Sequence, residues 1–176
     1  WLNLASDPLP ALALGLEPPE PDVLDEPPHD PRVPILDRAD FRRILREGAV
    51  LGTSALAGYF LAGGATGAAQ ARTIVFHGLT LSQIVHGLSC RSEMHGIEAT
   101  LLRRPNLTLY GAVALSGALQ LGVQLFPITR RLFGLAPLGF RQSLGIAGMV
   151  AASTAANRLI GYLVRDDLGP RPPVMS

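Results

Sequence analysis

Pro105-Asn-Leu-Thr-Leu-Tyr-Gly-Ala-Val-Ala-Leu-Ser-Gly-Ala-Leu-Gln-Leu-Gly-Val-Gln-Leu-Phe-Pro-Ile-Thr129 contains no charged side chain, and Arg103-Arg104 and Arg130-Arg131 bracket it. A helix of about 20 apolar residues crosses the hydrocarbon core of a bilayer, and arginines at both ends suit the headgroup layers. The same pattern recurs outward from this stretch. Residues 48–71 and 73–90 are free of charge, 142–164 is interrupted only by Arg158, and 1–16 only by Asp7. The expected fold is therefore all-α and integral to the membrane, a bundle of five transmembrane helices. The first of them is broken by proline, because Pro8 and Pro10 lack backbone donors and clash one turn back, which would free the carbonyls of Leu4 and Ser6.

Charge placement sets the expected orientation. Every basic residue is arginine; ten fall in 17–47, 91–104 and 165–176, against four, Arg72, Arg130, Arg131 and Arg141, on the opposite side. Cytoplasmic loops carry the arginine excess, so the C-terminal tail, 165–176, is expected in the cytoplasm of a bacterial plasma membrane. Segment 17–40 packs prolines among acidic residues and reads as an extended cytoplasmic linker, after which Asp40 can cap a helix. The single Cys90 excludes an internal disulfide, and the net charge of +1 gives no nucleic-acid footprint. No basic leader precedes Trp1, so the chain reads as one that begins mid-protein.

Within the spans, each polar group needs a partner. Asp7 is the leading candidate for a cation ligand. Asn3 lies four residues earlier on the same helical face, and Ser6 offers a carbonyl or a hydroxyl. Gln83, midway along 73–90, either ligates an ion or bonds across helices. Gln120 and Gln124 read as interhelical bonding groups, His77 and His86 as bundle histidines, and Arg158 as a side chain that snorkels toward the cytoplasm. Gly48 with Gly52, and Gly63 with Gly67, have the spacing of close helix contacts. Asn106-Leu-Thr108 reads as a chance glycosylation match.

The string Trp1 to Gly15, followed by Glu17-Pro-Pro-Glu-Pro-Asp22 and Glu26-Pro-Pro-His-Asp-Pro31, resembles the sixth transmembrane helix and following loop of P-type cation-transporting ATPases. Ala71-Arg-Thr through Leu81-Ser-Gln83 to Cys90-Arg-Ser-Glu93 is similar to the eighth helix of the calcium-pump-like group. The resemblance covers nearly the whole chain as helices six to ten, the C-terminal membrane domain. It implies metal ligands at Asn3, Ser6, Asp7 and Gln83. Where the family usually has Gly after the Asp, this chain has Pro8, and an amide stands at Gln83 where a carboxylate is common. The cargo so implied is calcium, with magnesium, manganese, sodium or potassium as alternatives.

ATP and Mg2+ enter only in the intact pump. The family's Asp-Lys-Thr-Gly-Thr and Thr-Gly-Glu motifs are not among these residues, so the chain by itself is expected to be non-catalytic. Implied partners are the lipid bilayer, the preceding transmembrane helices, and the phosphorylation and nucleotide-binding domains of the same pump. A stand-alone membrane scaffold or regulator derived from such a pump is the alternative.

Overall fold

The computed structural model describes residues 8–16, 36, 38–88 and 106–165, and among them all regular structure is helical. The helices are α1 (Pro8–Gly15), α2 (Arg38–Thr66), α3 (Ala68–Gly87), α4 (Leu107–Leu125), α5 (Pro127–Leu132) and α6 (Phe140–Arg165). The all-α expectation is met.

In α1 the two prolines occupy the first turn, where backbone N–H groups have no intrahelical acceptor, so they open the helix. The break expected at Leu4 and Ser6 lies outside the described residues. Helix α2 starts at Arg38, which places Asp40 within its first turn and not at the cap; the carboxylate still faces the positive end of the helix dipole. Only Gly67 separates α2 from α3. Its φ of +84° is a conformation that glycine enters without a Cβ penalty. Asn106, read from sequence as a chance glycosylation match, caps α4, its side-chain oxygen accepting the Leu109 N–H at 2.9 Å. Phe126 is extended, and Pro127 then starts α5 at the position where a missing donor does no harm.

Helix α3 lies at the centre. It packs against α2 and α6, which also touch each other, and against α4 on another side; α1 rests on α4 and reaches the end of α3. Met149 of α6 fills the space over two glycines, one on each neighbouring helix. A Cβ on Gly78 would overlap the Met149 methyl, and one on Gly58 would sit 2.7 Å from its sulfur. These are the close-approach glycines. Gly48 and Gly52, expected in that role, have open space where a Cβ would go, because four-residue spacing does not say which face of a helix meets a neighbour.

The interior mixes apolar side chains such as Ile74, Ile84 and Leu109 with polar ones, while much of the surface is apolar. Gln120, Thr73, Thr80, Ser116 and Ser153 are fully buried, whereas Leu107, Leu121, Phe126, Ile128, Leu132, Phe140 and Leu159 are exposed. Buried polar groups and broad exposed apolar surface are the informative departures from the pattern of a water-soluble protein. The hydroxyls of Thr53, Thr73, Thr80 and Thr154 bond carbonyls one turn back, so no water is needed to satisfy them. Among the described residues, α4 alone is long and apolar enough by length and composition to cross a membrane. Helices α2, α3 and α6 have the length, but Gly, Ala, Ser and Thr dilute them and arginines occupy their ends.

Candidate cation site

Of the four expected ligands, Gln83 lies within the described residues; Asn3, Ser6 and Asp7 lie outside them. Gln83 sits four residues before Gly87, on the same face of α3. A Cβ on Gly87 would meet Pro10 of α1 at 3.8 Å, so this face looks toward the start of α1, and Asp7 directly precedes Pro8 in the sequence. The Gln83 Oε1 atom is buried and has no hydrogen-bond partner. An unpaired carbonyl oxygen inside a helix bundle is costly, and an amide oxygen is a donor type that hard cations accept.

The neighbouring polar groups are occupied. His86, one turn past Ser82, places Nε2 3.4 Å from a Glu47 carboxylate oxygen, and the other oxygen of Glu47 accepts from Arg43 Nε at 3.1 Å. Ser153 on α6 places its hydroxyl 3.1 Å from that of Ser82 and 3.0 Å from the Val150 carbonyl. No group of three His, Cys, Asp or Glu side chains that could hold a metal occurs among the described residues.

A second polar cluster joins α3 to α4. Gln120 Nε2 lies 2.9 Å from His77 Nδ1, and His77 Nε2 lies 3.1 Å from Gln124 Oε1. An amide nitrogen only donates, so Nδ1 is the acceptor and the imidazole is neutral, with its proton on Nε2. Gln124 Nε2 in turn donates to the Ala136 carbonyl at 3.2 Å, and the Ala136 N–H donates to Thr73 Oγ1 at 2.9 Å. Gln70 reaches the Pro137 carbonyl at 3.3 Å, so the segment between α5 and α6 is tied across the end of α3. His77, Gln120 and Gln124 thus act as interhelical bonding groups in the described arrangement, with every ring nitrogen used.

A family model described as the cation-transporting ATPase C-terminus matches residues 1–163. The chain belongs to this family. A calcium-transporting ATPase of Bacillus subtilis (strain 168) is 32% identical to this cation-ATPase C-terminal chain over 158 residues, which make up 88% of the chain and 17% of that relative. The chain therefore spans about a sixth of the length of the curated relative it matches.

Sequence reasoning missed Asn157 on α6. Both of its side-chain amide atoms are buried without a partner. The signal available was an amide next to Arg158 inside an otherwise apolar run, overshadowed by the charge beside it. The Ser82–Ser153 contact was also missed, since serines in a Gly- and Ala-rich helix give no indication of which one meets a partner.

Proposed function

We propose that this chain is the ion-binding and translocating membrane portion of an ATP-driven calcium pump, crossing the bilayer five times with its C-terminus in the cytoplasm. The observation that carries the site is the buried, partnerless Oε1 of Gln83 on the face of α3 that looks toward α1, whose first residue follows Asp7. Asp7 supplies the charge, Asn3 and Gln83 supply amide oxygens, and Ser6 adds a hydroxyl or carbonyl. Calcium takes six to eight oxygens, so helices elsewhere in the pump complete the shell. The name of the Bacillus relative supports calcium. The exposed apolar faces support membrane insertion of α2 and α6 beside α4, since they carry Phe60, Leu61, Leu144 and Leu163, with α3 packed among these helices.

In the intact pump, ATP would phosphorylate an aspartate in the cytoplasmic domains, and their motion would open the site alternately to each side. Pro8 and Pro10 have no backbone N–H to donate one turn back, which supports the reading that carbonyls near Asp7 are available to an ion.

The test is cation-dependent phosphorylation of the intact ATPase. Asp7→Asn is expected to abolish calcium-dependent phosphoenzyme formation while membrane insertion persists. Gln83→Leu is expected to weaken apparent calcium affinity about tenfold, equivalent to ~1.4 kcal/mol. Calcium dependence that is unchanged in both variants would take the site away from these residues, and absence of any calcium-dependent phosphoenzyme in wild type would leave the scaffold reading.

A further inference from the structure

A groove of about 550 Å3 runs along the outside of the α3–α6 contact, walled by Leu81 and Val85 on one side and by Ala147, Ala151 and Ala155 on the other, with Arg158 at one end. The three alanines recur at four-residue intervals, so one face of α6 is concave, while the Ser82–Ser153 contact holds the two helices together beside it. The Thr154 hydroxyl is absorbed by the Val150 carbonyl at 2.8 Å, which leaves the groove wall without a free polar group until Arg158. Arg158 is exposed, and none of the described residues forms an ion pair with it.

We propose that this groove holds one acyl chain of an anionic phospholipid whose phosphate pairs with Arg158. The inference rests on reading the chain as a membrane domain but not on the cation site. Dimensions support it: Ala147 and Arg158 are eleven positions apart, about 16 Å along the helix, so the apolar wall is long enough to hold an extended stretch of acyl chain. Arg158 lies six residues inside the cytoplasmic end of the expected span 142–164, so its side chain snorkels toward that headgroup layer while the groove runs from it across the bilayer midplane. A lone guanidinium at that level favours a negative headgroup, and its aliphatic stem lengthens the apolar wall.

The experiment measures phospholipid retained by the intact, purified ATPase after delipidation, with phosphatidylglycerol and phosphatidylcholine supplied in equal amounts and quantified by mass spectrometry. Wild type is expected to retain phosphatidylglycerol preferentially. Arg158→Gln is expected to lower the phosphatidylglycerol-to-phosphatidylcholine ratio about fivefold while some lipid remains bound. Ala151→Leu, which fills the groove, is expected to lower both. Millimolar inorganic phosphate should displace neither lipid, and displacement would mean a phosphate site without an acyl chain, overturning the proposal. Equal retention of the two lipids by wild type and Arg158→Gln would overturn it as well. Retention of neither lipid by wild type would do the same, since another helix of the ATPase or a second copy would then fill the groove.

Arg158→Gln guards against a folding artefact in Ala151→Leu, because it changes an exposed side chain. Calcium-dependent phosphorylation followed in parallel separates the two readings: its loss with lipid selectivity intact concerns the cation site alone. Absence of the ATPase from the membrane fraction would instead defeat the membrane reading itself.

Discussion

His77 is a residue whose two nitrogens are both committed, accepting from Gln120 and donating to Gln124. Removing the ring takes one partner from the buried Gln120 amide and one from the half-buried Gln124 amide, and a buried polar atom that loses its partner costs about 1–3 kcal/mol. His77→Leu should therefore lower thermal stability in detergent, and Gln120→Leu should do so too. Because they share a bond, the double variant should lose less than the sum, with a coupling on the order of 0.5–2 kcal/mol. Strict additivity of the melting shifts would show that the bond contributes nothing. Asn157 is the opposite case. With both amide atoms buried and unpartnered, Asn157→Leu should leave the melting temperature unchanged or raise it, since the substitution removes an unsatisfied group. A drop would identify a partner for Asn157 elsewhere in the ATPase. At this scale the sequence was informative about which residues are polar at depth, but not about which of them pair. Gln120 and Gln124 were legible as bonding groups because they share a helix face; that His77 joins them depends on the rotation of α3 against α4, which no local pattern encodes.

Among the helices, the fit of Met149 over Gly58 and Gly78 brings α2, α3 and α6 together at one level. Gly78→Ala would push the Met149 methyl aside, and overpacking of this kind typically costs about 1–3 kcal/mol. Unfolding of Gly78→Ala should be shifted down by that amount, and combining it with Met149→Ala should recover part of the loss. Failure of the second substitution to recover any of it would move the strain from the side chain to the backbone. Long helical stretches were readable from charge spacing because a charged side chain is expensive at depth, and that penalty acts on any face of a helix. The close contacts were less readable, since Gly48 and Gly52 satisfy the same spacing rule as real contact pairs and differ only in pointing away from neighbours. The cap at Asn106 was available from the sequence, an Asn ahead of an apolar run, but was read as part of a different motif.

For the molecule as a whole, the proposed orientation rests on where the arginines lie, and it has a direct test. Cys90 is the single cysteine of this chain and falls on the side with the arginine excess. In an intact ATPase otherwise free of cysteine, Cys90 should be protected from a membrane-impermeant maleimide in whole cells and should react once the membrane is opened, while Ser143→Cys in a Cys90→Ser background should react in both. Labelling of Cys90 from outside would invert the topology. The expected ligands divide unevenly at this scale: Gln83 belongs to the packed helices, whereas Asn3, Ser6 and Asp7 precede the described part of α1. Their part in a site is an expectation from chemistry and resemblance, which the described residues do not reach. The one-residue connection at Gly67 has a consequence for biogenesis. Two helices with a single glycine between them leave no loop to be translocated separately, so on the proposed topology α2 and α3 insert together as a hairpin, with Arg38, Arg42, Arg43 and Arg46 kept on the cytoplasmic side.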